Sequence, residues 1–294
     1  MENTDNIVII YNPNVGQHRK KFLERAIKIL ESNAKKVTLY ATEYPGHAIE
    51  IAANLKNNIN YTILIAAGGD GTINEVINGI YGSDKKLGII PLGTVSVLAR
   101  EMGLKLTPED VARTLMQEKT KYIYPALING KCFSLMASVG IDASSVKNVN
   151  LKLKRKISKL AYVISFIIEL FKSSFQSHNV TINADEYKSF CTIIAKGKLY
   201  AGEYICAPEA TIYDQYLHIV MLKKKGLVGL IKFFWAISRN NIKNLSYLEI
   251  VKTKTLSISS NHSEDVQIDG DYFGPLPITI KSSEKPISLI VPVS

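Results

Sequence analysis

The sequence predicts two domains, an α/β domain with a mostly parallel sheet and, after it, a domain of antiparallel strands. Its 294 residues exceed a typical single domain of about 100 to 200 residues, and the 46% hydrophobic content can fill two cores. Up to about residue 120, short apolar runs alternate with helical patterns. Beyond that point, strand-like runs separated by tight turns predominate.

In the first domain, residues 1–125, we expect a parallel sheet with helices on both faces. Its strand candidates are continuous β-rich runs, which is typical of strands buried on both faces. They are IVIIY, KVTLYA, YTILIAA and LGIIPLG. Helical patterns lie between them at residues 20–32, 47–55 and 96–102. A last helix is expected after Thr107, a capping residue that Pro108 follows at the first helical position.

In the second domain, residues 126–294, we expect antiparallel strands. ALINGKCF predicts a hairpin that turns at Asn129-Gly130, because Asn-Gly is favoured in two-residue hairpin loops. Further strand-like segments are VTINADEYKSFCTIIAKG, YICAPEATIYDQYLHIVML, EIVKTKTLSIS, LPITIKSS and PISLIVPVS. Two basic helical segments interrupt them, and the final strand is a candidate to return to the first domain.

The cysteines and the apolar runs indicate a cellular compartment. Cys132, Cys191 and Cys206 are odd in number, widely spaced and set in apolar runs, which fits buried thiols in a reducing cytosol better than disulfides or a zinc site. The longest apolar run, residues 160–171, contains Glu169 and falls short of the roughly 20 residues that span a bilayer. Because the amino terminus lacks the basic start of a secretory signal, we expect a cytoplasmic protein.

The formal net charge is +10, and much of the surplus lies in two stretches. Six basic and no acidic residues lie between Asp142 and Glu169, and the same holds from Gln215 to Leu248. Both stretches carry large apolar side chains, in LKLKRKISKLAYVISFII and MLKKKGLVGLIKFFWAI. Because basic amphipathic segments attract anionic surfaces, we expect peripheral association with an anionic membrane. Two solvated helix faces are the alternative, and nucleic acid is not expected because no aromatic-interleaved RNA motif is present.

The strongest chemical signal is GGDGTINEV, residues 68–76, which directly follows a predicted strand. Paired glycines at the carboxyl end of a parallel strand let backbone N–H groups approach phosphate oxygens, and the next helix points its positive end at the same place. Asp70 would repel a bare phosphate but suits Mg²⁺ or its waters. The alternative is a strand-to-helix turn in which Thr72 and Glu75 form a capping box. We expect that box to form, but it explains neither the paired glycines nor Asp70.

Two more loops follow predicted strands of the same sheet. YNPNVG ends the first strand at residues 11–16, and PLGT ends a later one at residues 91–94. Each loop alone is weak evidence for a binding site, because Asn-Pro and Pro-x-Gly are ordinary turn sequences. Since ligands of open α/β sheets bind beyond the carboxyl ends of the strands, the three loops together predict a nucleotide site.

In this order and spacing, NPNVG, GGDGTINEVINGI and PLGTVSVLARE resemble the catalytic domain of diacylglycerol kinases and bacterial lipid kinases. The resemblance continues through GIDA, LKRKISKLAYV, APEATIYDQYL and IDGD, and so covers nearly the whole chain. It implies a doubly wound α/β domain that binds ATP and a β-sandwich domain that completes a cleft for a lipid alcohol. It also implies Mg²⁺ and transfer of a phosphoryl group from ATP to the lipid hydroxyl.

Carried over position by position, the resemblance implies three sets of site residues. The general base would be Asp271, where the family has glutamate, and a plain Asp-Gly turn is the alternative for this segment. A structural Mg²⁺ would bind Asp214 with oxygens from Thr211 and Tyr216, for which a polar strand end is the alternative. The implied nucleotide contacts are Asn12, Pro13, Asn14, Val15, Gly16, Thr42, Gly68, Gly69, Asp70, Gly71, Thr72, Ile73, Asn74 and Thr94.

Departures from the family bear on activity. Ser96 and Val97 replace an asparagine and an aspartate, so one carboxylate of the metal and water network is absent. The alternatives are therefore a family member that binds nucleotide or lipid without turnover and, because GGDGT is shared, a NAD kinase. Against a NAD kinase, the sequence has no separate Asn-Glu motif and no Gly-Ser/Thr-Ala-Tyr run downstream. The acceptor lipid and the oligomeric state, with a homodimer as one option, stay open.

Overall fold

The computed structural model describes residues 6–33, 35–140, 143, 176–242 and 245–293. The chain divides into two compact units. Unit 1 comprises Met1–Pro125 with Glu284–Ser294, and unit 2 comprises Ala126–Ser283. The first basic segment and the two middle residues of GIDA lie outside the described residues, so what was predicted for them stays a prediction.

Unit 1 is built on a six-stranded sheet. Its strands are β1 (Asn6–Tyr11), β2 (Lys36–Ala41), β3 (Ile63–Gly68), β4 (Lys86–Pro91), β5 (Thr120–Ile123) and the last strand of the chain, β20 (Ile287–Ile290). In the order β2-β1-β3-β4-β20-β5, all neighbours are parallel except β20 and β5. Strand β3 is buried along its whole length, which is why its sequence is continuously apolar instead of alternating.

Five helices are described in unit 1, and they occupy the predicted segments. They are α1 (Gln17–Ser32), α2 (His47–Leu55), α3 (Asp70–Ile80), α4 (Val97–Glu101) and α5 (Pro108–Gln117). Helix α1 begins slightly earlier than predicted. The Thr107 hydroxyl accepts the Asp110 N–H at 3.1 Å, so the predicted cap of α5 is confirmed. The predicted doubly wound, mostly parallel α/β fold is confirmed as well.

Unit 2 contains antiparallel sheets. Its strands are β6 (Ala126–Ile128), β7 (Lys131–Phe133), β8 (Met136–Gly140), β9 (His178–Ile182), β10 (Asp185–Ser189), β11 (Cys191–Ala195), β12 (Leu199–Tyr200), β13 (Tyr204–Ile205), β14 (Leu217–Leu222), β15 (Leu248–Thr253), β16 (Thr255–Ser259), β17 (Asp265–Ile268), β18 (Asp271–Pro275) and β19 (Ile278–Ser282). Two sheets run β10-β9-β16-β19-β6-β7 and β15-β14-β11-β8-β17-β18, while β12 pairs with β13. Val180 and Ile258 of the first sheet share a core with Ile219 and Val266 of the second, so the predicted β-sandwich is confirmed.

The predicted hairpin turn between β6 and β7 is confirmed. Asn129 has φ 45° and Gly130 has φ 89°. Both values lie in the left-handed region that a two-residue hairpin loop of this type requires. The Asn-Gly pair thus determines this turn locally.

Part of the segment YICAPEATIYDQYLHIVML was wrongly predicted as strand. Only β13 and β14 are extended, and residues 206–216 between them form no strand. Pro208 lacks the N–H that a ladder needs, and the Asp214 carboxylate accepts the Tyr216 N–H at 2.9 Å. Side-chain bonding to the backbone therefore replaces strand pairing in this loop.

The second basic segment divides into an exposed lysine stretch, residues 223–225, and a helix, α6 (Leu227–Ser238). Gly226, with φ 98°, separates the two. One face of α6, including Phe233 and Ile237, packs with β11 and β14 in a second core on the outer side of their sheet. This second core explains why β14 is buried on both faces.

Two sequence expectations concern membranes and thiols. Among the described helices, none combines the length and the hydropathy that a bilayer span requires. Cys132, Cys191 and Cys206 are buried thiols, as predicted. Burial raises the pKa of the Cys132 thiol to about 12, so this thiol stays protonated at neutral pH.

Candidate functional site

The order of the parallel strands places the predicted loops side by side at one edge of the unit 1 sheet. The carboxyl ends of β2, β1, β3 and β4 are consecutive neighbours there. Backbone hydrogen bonds continue the pairing into the loops, because the Asn12 N–H donates to the Ala67 carbonyl at 3.1 Å and the Leu92 N–H donates to the Gly68 carbonyl at 2.8 Å. Thr42 continues β2 in the same way.

This edge brings the predicted nucleotide contacts together. The chain passes from β2 at the sheet edge to β3 on the other side of β1, so β1 and β3 flank the point where the strand order reverses. The predicted contacts around it are Asn12, Pro13, Asn14, Val15, Gly16, Thr42, Gly68, Gly69, Asp70, Gly71, Thr72, Asn74 and Thr94. The Ile73 side chain is instead buried in the core, so only its backbone can face a ligand. Nucleotide contact by these residues stays a prediction.

Two of the loops approach each other through glycines. A Cβ at Gly93 would lie 2.9 Å from the Gly69 Cα, and a Cβ at Gly68 would lie 2.5 Å from the Thr72 Cβ. Neither position admits a side chain without a shift of its neighbours. Gly93 was missing from the predicted site residues although it lies in PLGT. The pairing of β3 with β4 brings the two loops together, and the close approach of Gly93 to Gly69 follows from it.

The Asp70 carboxylate joins the β3–α3 loop to α4. Its Oδ2 accepts the Val97 N–H at 3.1 Å and its Oδ1 accepts the Leu98 N–H at 3.2 Å, at the N-terminus of α4. Ser96, with φ 52°, turns the chain into that helix. Burial raises the pKa of Asp70 above its ordinary value, and the two hydrogen bonds oppose that shift.

The predicted capping box between Thr72 and Glu75 is wrong. Helix α3 begins at Asp70, so Thr72 lies inside its first turn and no side chain caps this helix. The Glu75 carboxylate instead accepts the Gly46 N–H at 2.9 Å and the Ala48 N–H at 3.2 Å, at the N-terminus of α2. The first N–H groups of α3 are therefore not taken up by a side-chain cap.

Asp271, the predicted base, is exposed at the start of β18. Asp269 has φ 47° and Gly270 has φ 86°, and Ile268 pairs with Asp271 across them. IDGD is therefore a two-residue hairpin loop between β17 and β18. The Asp-Gly turn and a base at Asp271 are compatible, because Asp269 lies in the loop of the turn whereas Asp271 is exposed at the start of β18.

Asp269 anchors this turn. Its Oδ2 accepts the N–H and the Oγ–H of Ser134 at 2.8 and 3.2 Å, and its Oδ1 accepts the N–H groups of Leu135 and Met136 at 3.0 and 2.9 Å. Sequence reasoning missed this role because all the donors lie at least 133 residues earlier in the chain. The local signal is only an aspartate before glycine in a hairpin.

The predicted metal residues Thr211, Asp214 and Tyr216 lie on one loop. The buried side chain of Lys196 binds that loop. The Lys196 Nζ donates to the Asp214 carbonyl at 2.7 Å and to the Tyr216 carbonyl at 3.0 Å. Lys196 is fully buried. Burial lowers the pKa of its ammonium to about 8, and the Asp214 charge opposes this shift. In the part of the chain that the structure describes, no cluster of three His, Cys, Asp or Glu side chains suits a metal.

Two family profiles match the chain. Residues 6–126 match the diacylglycerol kinase catalytic domain, and residues 136–291 match the YegS C-terminal NAD kinase beta sandwich-like domain. Among curated proteins, the chain is similar to diacylglycerol kinases of Staphylococcus aureus strains MRSA252 and USA300. Each is 29% identical over 292 residues, which cover 97% of this chain and 91% of the relative.

Solved structures share the fold. A diacylglycerol kinase structure from Bacillus anthracis strain Sterne has a TM-score of 0.76 and 19% identity, covering 98% of this chain and 97% of that one. A second structure from the same organism has a TM-score of 0.82 and 21% identity, covering 99% and 96%. Both span the α/β unit and the β-sandwich unit.

The Asp269 network predicts that Asp269→Asn destabilises the protein. The amide would place a donor against backbone donors, so we expect the free energy of unfolding to fall by about 2 to 4 kcal/mol. Asp271→Asn, in the same turn but exposed, is the matched control and should change it by less than about 0.5 kcal/mol. Urea denaturation followed by circular dichroism measures both. Equal stability of the two variants would contradict the anchoring role of Asp269.

Proposed function

The chain belongs to the diacylglycerol kinase-like family, and from that premise we propose that it is an ATP-dependent lipid kinase. The proposed reaction transfers the γ-phosphoryl group of ATP to the hydroxyl of diacylglycerol or a related lipid alcohol. The observation that carries the proposal is the convergence of the Gly68–Asn74 segment, where β3 passes into α3, with the loops after β1, β2 and β4 at one sheet edge. Such an edge is where open α/β sheets bind nucleotides.

The phosphates of ATP are proposed to lie against the Gly68–Gly71 backbone. Gly69 has no side chain to cover its backbone N–H, whereas the space beside Gly68 is filled by the Thr72 side chain. Helix α3 directs its uncapped N-terminus to the same edge. The Asn12–Gly16 loop and Thr94 lie on either side of this segment. Thr42, which follows β2, is proposed to contact the ribose or the adenine.

Asp70 is the residue proposed to hold Mg²⁺ or its waters. Each of its carboxylate oxygens accepts one backbone N–H from α4, which leaves lone pairs for a hard cation, so the residue fits this role. When bound, Mg²⁺ would neutralise charge on the transferred phosphoryl group. The hydrogen bonds from α4 hold the carboxylate in a fixed orientation at the loop edge.

Asp271 is proposed as the general base. Its carboxylate accepts the proton of the lipid hydroxyl while that oxygen forms a bond to the γ-phosphorus, and the bond to the β–γ bridging oxygen breaks to release ADP. The exposure of Asp271 supports this role, because a base must reach its substrate. The Asp269 network supports it by fixing the turn from which Asp271 projects.

Helix α6 and the lysines before it are the proposed membrane-contacting surface. Val228, Ile231 and Trp235 form an apolar stripe on the outer face of α6 and are 59%, 50% and 61% exposed. The exposed Lys232 lies beside this stripe, and the Arg239 guanidinium lies 4.7 Å from the centre of the Trp235 ring. An apolar stripe with basic neighbours suits the interface of an anionic membrane. Because Phe233 is buried, it does not belong to this surface.

A family member that binds nucleotide without turnover is the second candidate. It is favoured by the absence of a carboxylate at Val97, whose backbone N–H binds Asp70. A NAD kinase is a further alternative. All three are separated by one experiment, in which the purified protein receives radiolabelled ATP together with lipid extracts or NAD, and mass spectrometry identifies the labelled product. Label in a lipid supports the proposal, and nucleotide binding without label supports the second candidate.

We predict that Asp70→Asn removes most phosphotransfer while the protein stays folded. The amide keeps one acceptor for α4, so stability should fall by only about 1 to 2 kcal/mol, whereas the charge that attracts Mg²⁺ is lost. Phosphotransfer is measured over a Mg²⁺ titration, in parallel with thermal unfolding. The Mg²⁺ concentration that gives half of the maximal residual activity should be higher than in the unchanged protein. Near-normal turnover in a folded variant would contradict the assignment of Asp70 to Mg²⁺.

We predict that Asp271→Asn lowers turnover by roughly 10²- to 10⁴-fold with little change in ATP affinity, since an amide cannot accept the proton. Steady-state kinetics and nucleotide-binding calorimetry give the two quantities. Asp271→Glu, which restores the residue typical of the family, should retain activity. An equal loss of nucleotide binding and turnover in the Asn variant would point to a structural role.

We predict salt-sensitive binding to anionic vesicles through the α6 surface. Lys223 pairs with Glu249, so the tested variant changes Lys224, Lys225 and Lys232 to Gln. At about 1 kcal/mol per residue, partitioning at low salt should fall on the order of 100-fold. The control changes the scattered, exposed Lys28, Lys119 and Lys131 to Gln, and its partitioning to vesicles should fall much less.

The chain has one tryptophan, Trp235, so its fluorescence reports contact of α6 with the membrane. Its emission should shift to the blue when anionic vesicles are added and should not shift with neutral vesicles. Co-sedimentation provides the partition coefficients for each variant. Salt-insensitive binding, or an unchanged Trp235 spectrum on bound protein, would show that α6 is an ordinary solvated helix.

A further inference from the structure

A fully buried lysine, Lys196, lies directly after β11. Its ammonium donates to the Asp214 carbonyl at 2.7 Å and to the Tyr216 carbonyl at 3.0 Å. A buried charge is costly unless hydrogen bonds compensate for it, so these two short bonds are what keeps the ammonium in place. The lysine thus holds together the loop that carries the residues matched to the family's Mg²⁺ site.

The geometry of this loop does not fit a divalent cation. Of the three residues matched to that site, Tyr216 already gives its carbonyl oxygen to Lys196, and the Asp214 Oδ1 accepts the Tyr216 N–H at 2.9 Å. Mg²⁺ and Ca²⁺ bind oxygens at roughly 2.0 to 2.6 Å. A metal on the Tyr216 carbonyl would therefore lie close to a buried ammonium, and the two positive charges would repel each other.

The surrounding charges also disfavour a metal. The Lys252 Nζ lies 3.7 Å from the Asp214 Oδ2 and 4.1 Å from the centre of the Tyr216 ring. The Lys254 Nζ donates to the Gln215 Oε1 at 3.0 Å and lies 5.5 Å from the same ring. With Lys196, three ammonium groups lie along residues 214–216, so this part of the loop already has positive charge close to it.

We propose that the Lys196 ammonium is the cation of the 206–216 loop at neutral pH and takes the place of a structural Mg²⁺ in this protein. The lysine is covalently part of unit 2, so the loop is ordered without divalent metal. Any Mg²⁺ that acts with the nucleotide is a separate requirement that belongs to unit 1. The inference concerns unit 2 alone and does not rest on the proposed kinase activity.

The same lysine connects the loop to the turn that carries Asp271. The Lys196 N–H donates to the Leu135 carbonyl at 2.8 Å, and the Leu135 N–H donates to the Asp269 Oδ1 at 3.0 Å. The 206–216 loop, the end of β11 and the β17–β18 turn therefore form one hydrogen-bonded network. In this network the lysine is a positioning residue, and loss of its charge should loosen the loop first.

The test is thermal unfolding of the full chain without nucleotide, in EDTA, in millimolar Mg²⁺ and in millimolar Ca²⁺, at matched ionic strength. The unchanged protein should show the same Tm in all three. Lys196→Met keeps the length of the side chain but removes the ammonium, and it should lower the Tm by about 5 °C or more. Lys198→Met, two residues away and exposed, is the matched control and should leave the Tm unchanged.

Lys196→Asn separates a replaced cation from an ordinary hydrogen-bond donor. The shorter side chain frees the Tyr216 carbonyl, so this variant should be less stable in EDTA and should regain part of its Tm with Mg²⁺ or Ca²⁺. No recovery would overturn the proposal. The proposal would also fail if Mg²⁺ raised the Tm of the unchanged protein and Asp214→Asn abolished that rise, or if Lys196→Met unfolded at the Tm of the unchanged protein. The measurements on the unchanged protein decide the question even if a Lys196 variant does not fold.

Discussion

The parallel pairing of β3 between β1 and β4 is the constraint on which the candidate nucleotide site depends. In this register Ala67 lies beside Tyr11, and Gly68 lies beside Pro91, so all three strands reach the same edge together. The backbone bonds past the strand ends then carry the register into the loops. Because Gly69 and Gly93 lack side chains, the two loops can approach as closely as that register demands. A shift of one residue would separate the loops and turn buried side chains to the wrong face.

Three carboxylates hold these loops and helix ends in place. Asp70, Glu75 and Asp269 each accept backbone N–H groups from a segment distant in the sequence. A carboxylate suits this role because it only accepts, and its hydrogen bonds to N–H groups are stronger than those of neutral acceptors. The glycine-rich motif and the IDGD turn therefore contain residues that support the fold beside residues available for chemistry. Loss of activity in a variant at these positions has meaning only when its stability is measured as well.

The lysines of unit 2 lie in two different environments, one buried and one exposed. Lys196 is enclosed, and its ammonium donates to two carbonyl oxygens of one loop. Lys224, Lys225 and Lys232 are exposed beside the apolar stripe of α6, where an anionic surface can attract them. The net charge of +10 therefore includes lysines in different surroundings. Lys196 binds a loop inside unit 2, whereas the lysines near α6 are exposed.

Local and periodic features of the sequence determined the fold class and most of the strands. They also determined the Thr107 cap, the Asn129-Gly130 turn and the glycine-rich segment as the candidate site. Each of these features depends on neighbouring residues or on the burial of a whole strand. The resemblance added Asp271 and the residues of the Asp214 loop. Tertiary structure alone decided that Glu75 caps α2 and not α3, that Asp269 holds the turn before Asp271, and that Lys196 occupies the loop matched to a metal site. In each of these cases the acceptor and its donors come from separate parts of the chain. The physical reason is that a side chain binds whichever backbone group the fold places within about 3 Å, and sequence spacing does not reveal that distance.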